Sequence, residues 1–166
     1  MKQTPDPQKL SLKLFPDCKR MFGDAGQLGG CHAWHYAGNA VSYIPSAHVF
    51  VAGCPCADAS RRNMHSARAA NRGCIANGDL RTGNSFRGLL GFVKVNSPGE
   101  MLHLMLENVL ALATPAHRML NRNLDHACDL LNGIGWQVVV FKLCPSLVGV
   151  PQHRDSLWFS GFPGSS

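Results

Sequence analysis

Apolar residues gather in four short runs along the chain, over residues 47–53, 102–109, 136–144 and 156–162. Runs this short, apolar throughout rather than alternating, predict buried strands of a mainly parallel sheet. Two stretches between them have helical character. Residues 85–95 predict a helix that ends before Pro98. Residues 115–132 place apolar or small side chains at 116, 119, 120, 124, 127, 130 and 131, which is one face of a helix. Pro115 suits its first turn and Gly133 its stop.

The rest of the chain is less patterned. Residues 1–10 are polar with two prolines and read as a loose tail. Residues 11–22 read as a short strand entering a loop, because Pro16 breaks a helix there. Residues 23–46 read as loop with one helical turn. Residues 57–85 read as a long polar loop, or a loop with a poor helix, and Arg81-Thr82-Gly83-Asn84-Ser85-Phe86 reads as loop-like. The order strand, loop-helix, strand, helix, strand, strand predicts an α/β layered sheet, a single domain over residues 11–166.

Composition narrows the classes. Among 166 residues no apolar run approaches the roughly 18 needed to span a membrane. The first ten residues hold no apolar segment of a secretory signal. Scattered Gly (17) and Pro (10) rule out a coiled coil. The net charge of +6 permits a polyanionic partner without requiring one. Seven cysteines, at 18, 31, 54, 56, 74, 128 and 144, make an odd number, so reduced thiols inside a cell are the expectation. Cys18, Cys31, His32 and His35 lie close in sequence but fit no common zinc spacing, so no metal is assigned; a small zinc-stabilised domain stays a third alternative.

Three polar clusters stand at or between the strand ends: Gly53-Cys54-Pro55-Cys56, followed by Ser60; Glu107-Asn108-Val109; and Gly149-Val150-Pro151-Gln152-His153-Arg154. Open α/β sheets bind ligands beyond the carboxyl ends of their strands. Taken in order, the clusters resemble the Pro-Cys, Glu-Asn-Val and Gln-x-Arg-x-Arg blocks of the DNA cytosine-5 methyltransferase family. The resemblance is good over residues 47–163 and poor over 11–46. It implies an S-adenosylmethionine-dependent, Rossmann-like methyltransferase sheet. It also implies that Cys56 is the nucleophile that adds to carbon 6 of cytosine, since a thiolate can activate carbon 5 in this way. Glu107 is then the acid at N3, and Arg154 steadies the base edge or the carboxylate. Pro55, Ser60, Asn108 and Gln152 position the base.

The same resemblance makes DNA the partner, with RNA the lesser candidate, and places the protein in the nucleus or another DNA-containing compartment. Several family features differ here. No Phe-x-Gly-x-Gly turn precedes Cys56. Leu14-Phe15-Pro16-Asp17 is similar to the end of the family's third strand, which makes Asp17 and Cys18 the cofactor contacts. Ala57-Asp58-Ala59 stands where the family favours Gln and Phe, and Ser156 replaces the second Arg. The expectation is a partial catalytic domain lacking the first strands and the target-recognition region. Its strand at 47–53 is left as an exposed edge prone to self-association. The alternative is a non-catalytic nucleic-acid-binding or regulatory remnant of the fold.

Overall fold

The computed structural model describes residues 11, 13–18, 20–22, 25–36, 38–59, 73–96, 100–114, 123–151 and 153–164. The loose tail expected at 1–10 lies outside them. So do the positioning candidates Ser60 and Gln152, and Pro115 with the first part of its helix.

Four strands form one sheet in the order β3-β4-β6-β5: β3 Val49–Gly53, β4 His103–Val109, β5 Trp136–Leu143 and β6 Ser156–Pro163. All four coincide with the apolar runs. The expected parallel character is only partly present. β3 and β4 are parallel, whereas β6 lies antiparallel between β4 and β5. The reason is connection length. β5 and β6 are joined by residues 144–155, whose described part holds a short 3-10 turn at Pro145–Val148 and no crossover helix of the kind that carries a chain back for parallel pairing.

The strands were expected to be buried on both faces. One face alone is covered among the described residues. β4 alternates, with Leu104, Leu106 and Asn108 buried and His103, Met105, Glu107 and Val109 half-buried. Leu157, Phe159 and Trp136 continue the covered face across β6 and β5. On the other face Val49 and Val51 of β3, Val139 and Phe141 of β5, and Phe162 of β6 are exposed.

Three helices cover the packed face: α1 Cys74–Asn77, α2 Leu80–Asn96 and α3 Asn123–Gly133. In α2, Phe86, Leu89 and Val93 recur at helical spacing and are buried with Phe92, whose ring lies 4.8 Å from that of Phe50. The helix begins well before the expected residue 85, so the segment 81–86 is helical rather than loop. Local propensity misleads here because its glycines serve close packing. A Cβ on Gly83 would lie 2.1 Å from the Cys74 carbonyl oxygen. α3 buries Ala127 and Leu131 and ends at Gly133, the expected stop. Asn123, at its start, accepts a hydrogen bond from the Ile75 N–H (3.1 Å), tying α3 to α1.

The N-terminal part departs most from expectation. Among the described residues of 11–22 no strand forms: Ser11, Lys13 and Leu14 are helical, Pro16 and Asp17 lie in a turn, and Phe22 makes an isolated antiparallel bridge to His35. Instead, a two-stranded antiparallel hairpin appears within residues 23–46, with β1 His32–His35 and β2 Ala40–Tyr43. Each strand has only four residues, too few for an apolar run to show. Asn39 takes a left-handed conformation (φ 47°) in the connecting turn, which Asn tolerates better than most residues. A 3-10 turn at Ala25–Gly29 packs on α2, where Gly88 and Gly91 let the two backbones meet.

Candidate active site

The parallel pairing of β3 and β4 sets the geometry. Gly53 is the register partner of Glu107, and the Cys54 N–H donates to the Glu107 carbonyl (3.2 Å), carrying the ladder one residue past the strand. Pro55 then stops it, because proline has no N–H to give. The Pro-Cys turn therefore leaves β3 beside the carboxylate that ends β4. A Cβ on Gly53 would stand 3.8 Å from Glu107 Oε2, so the carboxylate leans over the glycine.

β6 brings in the third cluster. Ser156 pairs with Val109 of β4 and with Leu143 of β5, so residues 144–155 emerge at the same edge as the other two clusters. Arg154 in that segment is exposed and has no hydrogen bond or ion pair with any other described residue. Asn108 is buried, and its Oδ1 accepts from the Val109 N–H (2.8 Å), which holds the backbone where β4 ends.

The two cysteines of the turn differ in environment. Cys54 is buried, and burial together with the Glu107 charge pushes its thiol up to about 12. It is held as a neutral thiol. Cys56 is only half-buried and lies beyond Pro55, free of the ladder. Of the pair, Cys56 is the more accessible.

The loop carrying Cys56 is anchored at its far side by Asp58, a residue that sequence reasoning counted only as a departure. Its Oδ2 accepts from the Thr82 N–H in the first turn of α2 (2.6 Å), and the Asp58 N–H donates to Thr82 Oγ1 (3.3 Å). A carboxylate there satisfies an orphan N–H and suits the positive end of the helix dipole. The separation of 24 positions puts the contact beyond any local capping pattern.

With this geometry in view, known proteins were compared. The model of the C-5 cytosine-specific DNA methylase family matches residues 37–165. The chain belongs to that family. Among solved structures it is similar to the Dnmt2 methyltransferase of S. pombe, at 12% identity and TM-score 0.46, covering 72% of this chain and 30% of that one. It is similar to the methyltransferase EhMeth of Entamoeba histolytica, at 15% identity and TM-score 0.48, covering 69% of this chain and 32% of the other. A DNMT2 mutant from Spodoptera frugiperda gives 23% identity and TM-score 0.45, covering 71% of this chain and 30% of that chain. This chain thus spans about a third or less of the length of these structures. No curated protein matches it.

The family depends on S-adenosylmethionine. The described residues do not form a cradle for it. Among the described residues no glycine-rich strand-to-helix turn lies beside β3, whose outer edge pairs with no described strand. Asp17 and Cys18, the expected cofactor contacts, end no strand: both are exposed, and the Cys18 thiol donates to the Arg20 carbonyl (3.2 Å). The strand on which their role rested is absent. The cleft lined by Tyr43, Ile44, Ser46, Asn96 and Glu100 lies toward the amino ends of β3 and β4, away from the three clusters. Arg81 is exposed on α2.

Proposed function

We propose that this chain carries the base-activating side of a site that methylates carbon 5 of cytosine in DNA. The observation that supports the reading is the Gly53–Glu107 register with its extra Cys54–Glu107 hydrogen bond, which sets the Pro-Cys turn against the Glu-Asn-Val strand end.

In this reading the Cys56 thiol gives its proton to solvent and its sulfur adds to carbon 6 of a cytosine, breaking the 5,6 double bond. The electron pair moves through the ring toward N3, where the Glu107 carboxylic acid donates a proton. Carbon 5 becomes an enamine-type nucleophile. Arg154 reaches the base edge or the Glu107 carboxylate through charge-assisted hydrogen bonds. The base must leave its stack to enter, and the +6 chain offers phosphate contacts that hold the strand. The steps assigned to these residues end at the activated base.

Two measurements on the full chain test this. Activation at carbon 5 releases tritium from DNA labelled there, with no methyl donor required. The expectation is release by the native chain and none by Cys56→Ser or Glu107→Gln. With S-adenosylmethionine added, DNA containing 5-fluorocytosine should give a gel-stable adduct that Cys56→Ser abolishes. DNA binding without release or adduct supports the second reading, a non-catalytic nucleic-acid-binding remnant. Ser156 favours that reading: it is buried within β6, where the family's second Arg would stand.

A further inference from the structure

The register of β5 and β6 has a second effect at this edge. Because Leu143 pairs with Ser156, the residues just outside the ladder, Cys144 and Asp155, flank the same end of it. His153 lies two residues before Asp155. Among the described residues, the sulfur of Cys144, a ring nitrogen of His153 and a carboxylate oxygen of Asp155 form the one group of three potential ligand atoms within 4.8 Å of each other. Cys18, Cys31, His32 and His35 do not converge in this way.

We propose that Cys144, His153 and Asp155 bind a zinc ion that fastens the segment carrying Arg154. Cys144 Sγ and His153 Nδ1 are 3.5 Å apart. A tetrahedral zinc, about 2.3 Å from sulfur and about 2.0 Å from nitrogen, holds two such ligands about 3.5 Å apart. Sulfur, imidazole nitrogen and carboxylate oxygen are all ligands that zinc accepts, and three protein ligands leave the fourth position for water. Supporting contacts of the kind that orient ligands are in place. Ser146 Oγ lies 3.0 Å from Cys144 Sγ, where its hydroxyl can donate to the thiolate. Lys142 Nζ lies 2.6 Å from Asp155 Oδ2 and holds the carboxylate in place.

On binding, the Cys144 S–H bond breaks, a sulfur–zinc bond forms, and the proton passes to solvent. Zinc keeps its charge state. The ion closes the loop between residues 144 and 155, pinning both ends of the segment that presents Arg154. Cys144 is buried, so the sulfur is held in place before the ion arrives.

The experiment titrates the full chain with Co2+ as a spectroscopic substitute, then displaces it with Zn2+. The expected result is one ion per chain, with tetrahedral ligand-field bands and a thiolate charge-transfer band. Zn2+ should remove both and raise the melting temperature. Cys144→Ser should lose the thiolate band. His153→Ala and Asp155→Asn, which change side chains outside the core, should each weaken binding at least tenfold while circular dichroism shows the fold intact. Cys18→Ser/Cys31→Ser should bind as the native chain does. Bands that survive in the Cys144, His153 and Asp155 variants, or that vanish in the Cys18/Cys31 variant, overturn the proposal. So does a native chain that binds no Co2+, which leaves the cluster as a thiol–imidazole hydrogen bond.

Discussion

Cys54 lies 7% exposed beside the Glu107 carboxylate, and the loss of water together with that charge raises its thiol to about 12 from 9.0. A raised thiol pKa favours the protonated folded state. Its contribution to stability is fully present below pH 9.0 and is lost as the pH climbs from 9.0 toward 12, at up to about 1.4 kcal/mol per pH unit. Cys74, raised to about 11 chiefly by burial, adds the same trend between 9.0 and 11. Urea midpoints measured from pH 8 to 11 should therefore fall with pH in the native chain, and fall less steeply in Cys54→Ala. The same contrast governs reactivity. Limited alkylation at neutral pH, mapped by fragment mass spectrometry, should modify Cys56 ahead of Cys54. Equal labelling would deny Cys56 its separate position. Asp58 acts at one remove, by holding the loop. Asp58→Ala should cost about 0.5–2 kcal/mol in urea unfolding, the usual loss for a helix-start acceptor. It should also lower tritium release, because the Cys56 turn loses its far anchor.

At the scale of elements, α2 shows how packing overrides local preference. Its three glycines at 83, 88 and 91 weaken it as an isolated helix. In the fold each is a point of backbone contact. A Cβ on Gly91 would stand 2.5 Å from the Gly29 Cα, and one on Gly88 would stand 2.3 Å from the Ala25 carbonyl oxygen. Gly91→Ala, which raises helix propensity, should nevertheless destabilise the chain by about 1–3 kcal/mol, the range for overpacking. An unchanged or raised melting temperature would mean that the 3-10 turn moves aside freely. The apolar runs mark all four strands of the sheet to within two residues, because each must bury a row of side chains against α2 and α3. The hairpin β1–β2 escaped such reading because only Ala33 of its eight residues is buried.

Over the whole molecule, one face of the sheet carries the core and the other carries exposed Val49, Val51, Val139 and Phe162. Among the described residues β3 is an edge strand, and Val51 on it is 62% exposed. Long apolar edges template pairing with another chain. We propose that this edge drives self-association. Light scattering across a concentration series should show the native chain growing in mass and Val51→Lys remaining nearer to monomer, since an edge lysine opposes pairing. A native chain that is monomeric throughout the series would remove the proposal. No described helix is long and apolar enough to cross a membrane.

The four strands of the main sheet and the three clusters at or between their ends were legible in the sequence alone. Buried strands require apolar runs, and Pro55, Cys56, Glu107, Asn108 and Arg154 stand in recognisable blocks. Tertiary structure decided the rest, because it depends on contacts between residues far apart in the chain. It decided that β6 runs antiparallel between β4 and β5, which brings the third cluster to the edge where Glu107 stands. It decided that Asp58, 24 residues away, caps α2. It decided that Cys144 meets His153 and Asp155, a meeting set by strand register rather than by spacing.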